Sequence, residues 1–194
     1  MMAGKPERSE ARDAALRATL PHVAQRGWTL AALHAGLADL GEPPEAADWL
    51  FPKGPASLVE AWCDLADREM VEEAGDLSTL RIPARIRRLI EIRLQQAESW
   101  REAKRRGVAL LSMPWNAGMA ARCAGRTADA MWTAAGDTSD DFSRYTRRLT
   151  LGAIHTATLA FWLRQPPPGL EATLAFLDRR LEGLAKLQKR KRAA

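Results

Sequence analysis

The chain has 194 residues, of which 46% are hydrophobic and 27% charged, and a formal net charge of +5. This composition is typical of a globular protein and excludes a disordered or fibrous chain. Residues 1–80 carry 7 bases and 14 acids, whereas the remaining residues carry 22 bases and 10 acids. A basic half of this kind can face nucleic acid, an anionic membrane or an acidic partner, and charge alone does not decide among them.

Helix-forming residues dominate the chain, and no run alternates as a strand does, so the sequence predicts an all-α fold. No apolar run reaches the roughly 20 residues of a membrane-spanning helix. The first residues contain Glu7, Glu10 and Asp13 and no apolar segment, which argues against a leader peptide. We therefore expect a cytoplasmic protein that contacts a membrane, if at all, from the cytoplasmic face. Cys63 and Cys123 are expected to be free and buried.

The N-terminal elements predict a three-helix module over residues 1–54. Ser9 can cap a first helix that ends at Gly27. A second helix covers roughly residues 29–40, Gly41 supplies a turn, and a third helix is predicted over residues 43–51. Two short helices around a tight turn indicate a helix-turn-helix motif.

The charges of this module are the opposite of those that DNA binding needs. Residues 27–52 contain no Lys or Arg, and they carry the four acids Asp39, Glu42, Glu45 and Asp48. Even non-specific DNA binding depends on neutralising several phosphates. We therefore expect a helix-turn-helix shape that has lost specific nucleic-acid binding.

Residues 55–194 predict a second, larger helical body. Helices are expected over residues 55–74, over 82–106 as one or two pieces, and over 115–135. Ser139 or Asp140 should cap a long helix that reaches about residue 164, and a last helix starts near residue 170.

The long helix contains fifteen consecutive residues without formal charge, from Leu149 to Leu163. A helix that is apolar all round is expected to be buried on every side. Its mixture of small and large residues fits close helix packing, and it also fits the wall of a pocket for an apolar ligand.

The last helix, residues 170–192, is amphipathic and ends in a basic cluster. Its leucines recur at alternating four- and three-residue spacing, and the basic end includes Lys189 and Arg190. Core packing, a helix seam in a dimer and a membrane-surface helix all fit this pattern, and the basic end favours the membrane. The residues of this predicted membrane helix are Leu170, Leu174, Leu177, Leu181, Leu184, Lys189 and Arg190.

No pattern in the sequence assembles a catalytic or metal site. His22, His34 and His155 are scattered, and no metalloprotease, nucleophile-elbow, phosphate-loop or dinucleotide motif is present. We predict a protein that is not an enzyme and needs no metal or cofactor.

One segment, residues 130–148, carries a recognisable motif. It contains Met131-Trp132, then Ala135-Gly136-Asp137, and then Asp141-Phe142 followed by Tyr145-Thr146 and Arg148. This pattern closely resembles the signature of the Coq-nine family of ubiquinone-biosynthesis accessory proteins. Residues 85–94 and 173–184 are similar to the flanking parts of that family. The N-terminal module is similar to the DNA-binding portion of TetR-type regulators, including Gly41 and Phe51 ten residues apart.

The resemblance implies a homodimer with a TetR-like fold that does not bind DNA. Such proteins hold isoprenoid quinone precursors or phospholipids in an apolar pocket and dock on membranes through a C-terminal amphipathic helix. They present the lipid to a partner, typically the demethoxyubiquinone hydroxylase. On that basis the uncharged helix becomes a pocket wall, formed by Leu149, Gly152, Ile154, His155, Leu159 and Trp162.

The resemblance also implies a partner-binding patch on the motif segment, formed by Met131, Asp141, Arg144, Tyr145 and Arg148. Asp141 precedes Tyr145 by four residues and Arg148 follows it by three, so the three residues share one helix face. Aromatic and Arg side chains on one face suit a hot spot for protein binding. Arg144 departs from the pattern, because relatives tend to have an aromatic residue there.

The competing hypothesis is a TetR-type transcriptional regulator with an apolar effector pocket. It predicts DNA binding that weakens steeply with salt. An enzyme with an unrecognised site is a third and less favoured interpretation.

Overall fold

The computed structural model describes the backbone of residues 6–137 and 143–193 and the side chains of residues 6–137 and 145–183. Within these ranges the chain forms nine α-helices and no strand, which confirms the all-α prediction. The helices are α1 (Glu10–Arg26), α2 (Leu30–Asp39), α3 (Ala46–Leu50), α4 (Pro55–Ala74), α5 (Ile82–Ala97), α6 (Arg101–Leu111), α7 (Ala117–Ala134), α8 (Ser143–Trp162) and α9 (Leu170–Ala193).

Contacts group the described residues into two compact units. The first joins the chain up to residue 69 with residues 96–123, and the second joins residues 70–95 with the chain from residue 124 onward. Helices α4, α5 and α7 therefore contribute to both units. The boundary at residue 54 that the sequence suggests stays a prediction.

The caps of the helix-turn-helix are those expected from the sequence. Ser9 Oγ accepts from the Arg12 N–H at 3.2 Å at the start of α1. After α2, the Gly41 N–H donates to the carbonyl of Ala38 and the Glu42 N–H donates to that of Leu37. Gly41 has a φ of 73°, so this pair of bonds forms the glycine-closed helix end that the turn requires.

Helices α1 and α2 approach closely at Gly36. A Cβ atom at this position would lie 2.7 Å from the backbone of Ala18 and Thr19, so α2 can cross α1 here only with glycine. Leu33 and Leu37, one turn apart on α2, are fully buried in the same interface region.

Two tryptophans centre the core of the first unit. The rings of Trp28 and Trp62 lie 5.1 Å apart, and the Trp28 indole N–H donates to the carbonyl of Ala103 at 2.9 Å. Gly107 of α6 allows the close approach, because a Cβ there would lie 3.3 Å from Trp28 Nε1. The Lys104 ammonium covers the Trp62 ring at 4.6 Å from its centroid.

Helix α3 is shorter than the predicted 43–51 segment. It has five residues, and no side chain caps its first turn. Pro44 disfavours helical backbone geometry at Pro43, so the helix begins only after the turn at Pro44 and Glu45. Phe51 closes α3 and is buried under the Arg12 guanidinium, which lies 4.4 Å from its ring centroid and donates to the carbonyl of Leu50.

Helix α8 packs along α9 in the second unit, with Phe161 and Phe176 stacked at 4.5 Å. The expectation that α8 is buried on every side is wrong. Leu149 is 78% exposed, and Ala153, Thr156 and Ala160 continue an exposed stripe along the same face. Ala153, Thr156 and Ala160 are small or polar enough to face water, and Leu149 is an exposed apolar side chain, so absence of charge did not imply burial.

Candidate functional site

The motif residues at the end of α7 form a glycine-dependent turn. The Gly136 N–H donates to the carbonyl of Thr133 and the Asp137 N–H donates to that of Trp132, both at 3.0 Å. Gly136 has a φ of 84°, which side-chain-bearing residues rarely adopt. The glycine of the Ala-Gly-Asp motif therefore ends α7 and sets the direction in which Asp137 leaves it.

Arg85 of α5 stabilises this turn by hydrogen bonding. Its guanidinium donates to the carbonyls of Leu80, Ser78 and Ala135 at 2.7, 2.9 and 2.8 Å. A Cβ on Gly136 would lie 2.9 Å from Arg85 Nη1, so the guanidinium occupies the space that the glycine leaves.

Asp137 is paired with the two arginines of α8. Its side chain is 5% exposed and lies 2.9 Å from Arg147 and 3.3 Å from Arg148. Arg148 also lies 2.5 Å from Asp129 of α7. The acid of the Ala-Gly-Asp element and the arginines of α8 therefore hold α7 and α8 together.

A cavity of about 670 Å³ lies within the second unit, beside this ion-pair cluster. It is lined by residues of α5, α7, α8 and α9, most of them apolar. Its lining comprises Ile82, Pro83, Ala84, Ile86, Arg87, Trp132, Thr146, Arg147, Thr150, Leu151, Ile154, Asp178, Leu181 and Glu182.

The polar groups of the cavity include an ion pair between α5 and α9. Arg87 Nε lies 2.7 Å from Asp178 Oδ1, and Arg87 also lies 3.5 Å from Glu91 on its own helix. Ligand sites commonly have about 300–1,000 Å³, an apolar wall and a few orienting polar groups. This cavity has the size and lining to hold an apolar molecule with one polar end.

Of the six predicted pocket residues, Ile154 lines this cavity. Leu149 lies on the exposed face of α8, and Gly152 faces α7, where a Cβ would lie 3.9 Å from that of Ala128. Trp162 is fully buried, while His155 and Leu159 are half-buried outside the lining. The assignment of a lipid to these positions stays a prediction.

Residues of α5 were missed as cavity residues. The sequence places Ile82 and Ile86 on the inner face of a helix, but this pattern does not distinguish a filled interior from a hollow one. Trp132 was also missed, although the motif contains it: its neighbour Met131 is fully buried while Trp132 lines the cavity.

The residues of the predicted partner patch are not together on one surface. Tyr145 is 72% exposed, whereas Met131 is buried in the core and Arg148 is engaged with Asp129 and Asp137. Asp141 and the Arg144 side chain lie outside the described residues.

The residues of the predicted membrane helix also lie in different environments. Leu174 and Leu177 of α9 are buried, and Leu181 lines the cavity. These three leucines therefore do not form the lipid-facing row that the sequence predicts. Leu170 is half-buried at the start of the helix. The side chains of Leu184, Lys189 and Arg190 lie outside the described part of the chain. Among the described residues, no helix has both the length and the hydropathy to cross a bilayer.

The acids of the helix-turn-helix are at the surface. Asp39, Glu42, Glu45 and Asp48 are all exposed, and Asp39 pairs with His22 of α1 at 2.7 Å. In the described residues, no group of three or more His, Cys, Asp or Glu side chains is placed to hold a metal ion.

The helices define the fold of a TetR-type regulator. The chain is similar to the TetR transcriptional regulator of Nitrosomonas europaea, with a TM-score of 0.71 and 24% identity, covering 91% of this chain and 99% of that one. At this identity the likeness shows the fold alone, and it confirms the TetR-like prediction.

Sequence comparison finds relatives of one kind over most of the chain. Residues 117–188 match the family model of COQ9. The ubiquinone biosynthesis protein COQ9 of Drosophila melanogaster is 30% identical over 184 residues, covering 89% of this chain and 55% of the relative. The human protein is 29% identical over 175 residues, covering 86% and 55%. The resemblance to the Coq-nine family is confirmed.

The chain spans about half the length of these curated relatives. The relatives are named as mitochondrial proteins. The cytoplasmic location expected from the sequence of this chain stays a prediction.

Proposed function

We propose that this protein acts in ubiquinone biosynthesis by binding an isoprenoid quinone precursor or another lipid and presenting it to a hydroxylase. The role is one of binding and delivery. The names of its relatives place them in ubiquinone biosynthesis, and the similarity extends over most of this chain.

The cavity of the second unit is the observation that carries the proposal. Ile82, Ile86, Leu151 and Ile154 give it an apolar wall, and Arg87 and Asp178 supply charged groups for the polar end of a ligand. The lining also offers the hydroxyls of Thr146 and Thr150.

A dry cavity is what transport of such a lipid requires. Each CH₂ group moved into water costs about 0.8 kcal/mol, so a long isoprenoid tail does not cross water unprotected. A protein that moves it must cover the tail and receive it at a membrane surface. The basic end of α9 supports such a surface contact through its sequence.

For the partner enzyme, Tyr145 is the residue of the predicted patch that supports a contact. Its ring is exposed on α8, within the motif shared with the family. Aromatic side chains of this kind commonly dominate the energy of protein interfaces. We propose that Tyr145 contacts a demethoxyubiquinone hydroxylase-type enzyme.

For the homodimer, the exposed stripe of α8 is the supporting feature. Leu149, Ala153, Thr156 and Ala160 present an uncharged helix face, and its small side chains allow a second helix to approach closely. Light scattering on wild type and Leu149→Lys tests the dimer: a shift of the variant to monomer supports it, and an unchanged mass argues against this face.

The lipid proposal is tested by extracting the purified protein with organic solvent and identifying lipids by mass spectrometry. Wild type should yield quinone precursors or phospholipids. Ala84→Trp adds a large ring at the exposed rim of the cavity and should reduce the yield, while Ala24→Trp adds the same ring at an exposed position of α1, outside the cavity lining, and should not. A lipid-free wild-type protein would refute the proposal.

We further propose that the helix-turn-helix binds no specific nucleic acid. The exposed Glu42, Glu45 and Asp48 repel phosphates where a regulator would contact them. Gel retardation with the DNA upstream of its own gene decides the point, because tight and sequence-selective binding would favour the regulator hypothesis.

A further inference from the structure

The turn between α6 and α7 carries an exposed apolar surface in the first unit. We call residues 108–121 the α6–α7 tip. These fourteen consecutive residues, VALLSMPWNAGMAA, contain no charged side chain and no histidine. The tip includes the last residues of α6, a short 3-10 turn at 114–116 and the start of α7.

Two large side chains project from the tip into solvent. Trp115 is 80% exposed and Met113 is 41% exposed. Of the large apolar side chains that the structure describes as exposed, Trp115 has the highest exposed fraction. Met113, Pro114 and Trp115 are consecutive and exposed, and an apolar patch of this kind commonly marks a contact with another molecule or a membrane.

The tip is held in a defined conformation. Asn116 donates from its side-chain amide to the carbonyl of Leu110 at 2.8 Å, and its backbone N–H donates to the carbonyl of Met113 at 2.8 Å. Leu111 and Met119 are partly buried against the core of the first unit. The exposed ring of Trp115 therefore stands on an anchored support.

The charges that flank the tip are basic. From residue 103 to residue 128 the sequence contains five Lys or Arg residues and no acid. Before the tip, Arg105 and Arg106 both pair with Glu102, at 3.1 and 3.0 Å, and residues 103–107 of the sequence contain three bases and no acid. After the tip, Arg122 lies partly exposed and pairs with Glu60 at 3.3 Å.

Bases flank the exposed side chains of the tip on both sides in the sequence. Arg106 precedes Met113 by seven residues and Arg122 follows Trp115 by seven, so a base lies on each side of the neutral tip at the same sequence separation. An inserted apolar face reaches about 5–10 Å into the boundary between headgroups and acyl chains. Arginines that flank the tip would meet the phosphates while the indole lies at the interface.

We propose that the α6–α7 tip inserts Trp115 and Met113 into an anionic lipid surface. This contact is separate from the C-terminal helix 170–192, and it would position the first unit on the bilayer. The inference extends the proposed function, because it names a second element that meets the membrane. An anionic bilayer is favoured over a protein partner by the neutral tip and its basic flanks together.

The experiment measures co-sedimentation of the full chain with phosphatidylcholine vesicles, with and without about one third phosphatidylglycerol. Trp115→Ala combined with Met113→Ala should lower the partition onto anionic vesicles by about tenfold. Trp49→Ala is the matched control, because Trp49 is also exposed (62%) but lies beside Glu45 and Asp48, and it should bind as wild type. Circular dichroism checks that the variants keep the helical fold.

Quenching of tryptophan fluorescence by brominated lipids gives an independent measurement. Wild type should be quenched more strongly than Trp115→Phe. Equal partition of wild type and the double variant, or no binding of wild type to anionic vesicles, would overturn the inference. Loss of hydroxylase capture or of the dimer, with vesicle binding intact, would also overturn it and assign the tip to a protein contact. Extracted lipid is measured in parallel, so failure of the cavity proposal is recognised separately.

Discussion

Arg87 on α5 and Asp178 on α9 form an ion pair in the wall of the cavity, with 2.7 Å between Arg87 Nε and Asp178 Oδ1. Both side chains are partly exposed, so the pair contributes about 0–1 kcal/mol to stability. Because both residues line the cavity, we expect the pair to affect ligand binding more than folding.

Replacing Asp178 by Asn should change which lipids are retained. The substitution removes the negative charge and leaves the Arg87 guanidinium to attract anions. We expect a larger share of anionic phospholipid in the solvent extract, measured by mass spectrometry, and an unfolding free energy within about 1 kcal/mol of wild type. Glu171→Gln removes a carboxylate from α9 outside the lining and should leave the lipid profile unchanged. An unaltered profile in Asp178→Asn would argue against this end of the cavity as the polar end of the site.

Substitutions at Tyr145 and Arg148 should have different effects, one on partner binding and the other on stability. Arg148→Ala removes a largely buried guanidinium from Asp129 and Asp137 and should lower the free energy of unfolding by about 2–4 kcal/mol. Tyr145→Ala alters an exposed ring and should leave urea unfolding unchanged while weakening capture of the hydroxylase in a pull-down. Normal capture by Tyr145→Ala would exclude this residue from the contact.

Gly136→Ala should be destabilising. The new Cβ would meet Arg85 Nη1 at 2.9 Å at a backbone φ of 84°, which costs about 1–3 kcal/mol. Gly125→Ala is the matched control within α7, because nothing lies within 4 Å of its Cβ position, and it should stabilise by about 0.5–1 kcal/mol. Thermal unfolding of both variants measures the contrast, and equal midpoints would contradict the role of the motif glycine.

Asp64 should make stability depend on pH. Burial raises the pKa of its carboxyl, but hydrogen bonds and charges from Arg8 and Arg68 outweigh this and lower the pKa below 3.8. A folded pKa below the unfolded one stabilises the protein above about pH 3.8, and this contribution is lost as the pH falls through the folded value. Asp64→Asn should therefore lower the unfolding free energy at neutral pH by about 1–3 kcal/mol and have less effect in acid.

Urea unfolding of wild type and Asp64→Asn at neutral and at acid pH measures the difference in unfolding free energy. Asp48→Asn, at an exposed position of α3, is the control and should show little change. The same loss for Asp64→Asn at neutral and acid pH would contradict the ion-paired state of the carboxylate.

The sequence predicts the fold well where the determinants are local. Ser9 and Gly41 identify helix ends because a cap requires a particular hydroxyl or a positive φ. The predicted α4 has the bounds of the observed helix, Pro55–Ala74. The third helix was overextended because Pro43 permits a helix start without ensuring one.

The site is less predictable because it depends on packing between distant segments. Helix α8 was assigned to the pocket from its lack of charge together with the family resemblance, but Ile154 lines the cavity while Leu149, five residues earlier, faces solvent. Arginine is common in surface hot spots, so the sequence alone suggests that Arg148 binds a partner. The positions of Asp129 and Asp137 show instead that Arg148 forms ion pairs within the protein. Hydrophobic spacing gives the inward face of a helix and leaves open whether the interior is filled.

Photolabelling tests the central claim most directly, because it locates the bound lipid. A photoreactive isoprenoid quinone precursor is crosslinked to the full chain, and the labelled peptides are mapped by mass spectrometry. The cavity predicts adducts on residues 82–87 of α5 and 146–154 of α8, and their loss in Ala84→Trp. Saturable labelling confined to the first unit, or labelling that Ala84→Trp does not change, would contradict the account.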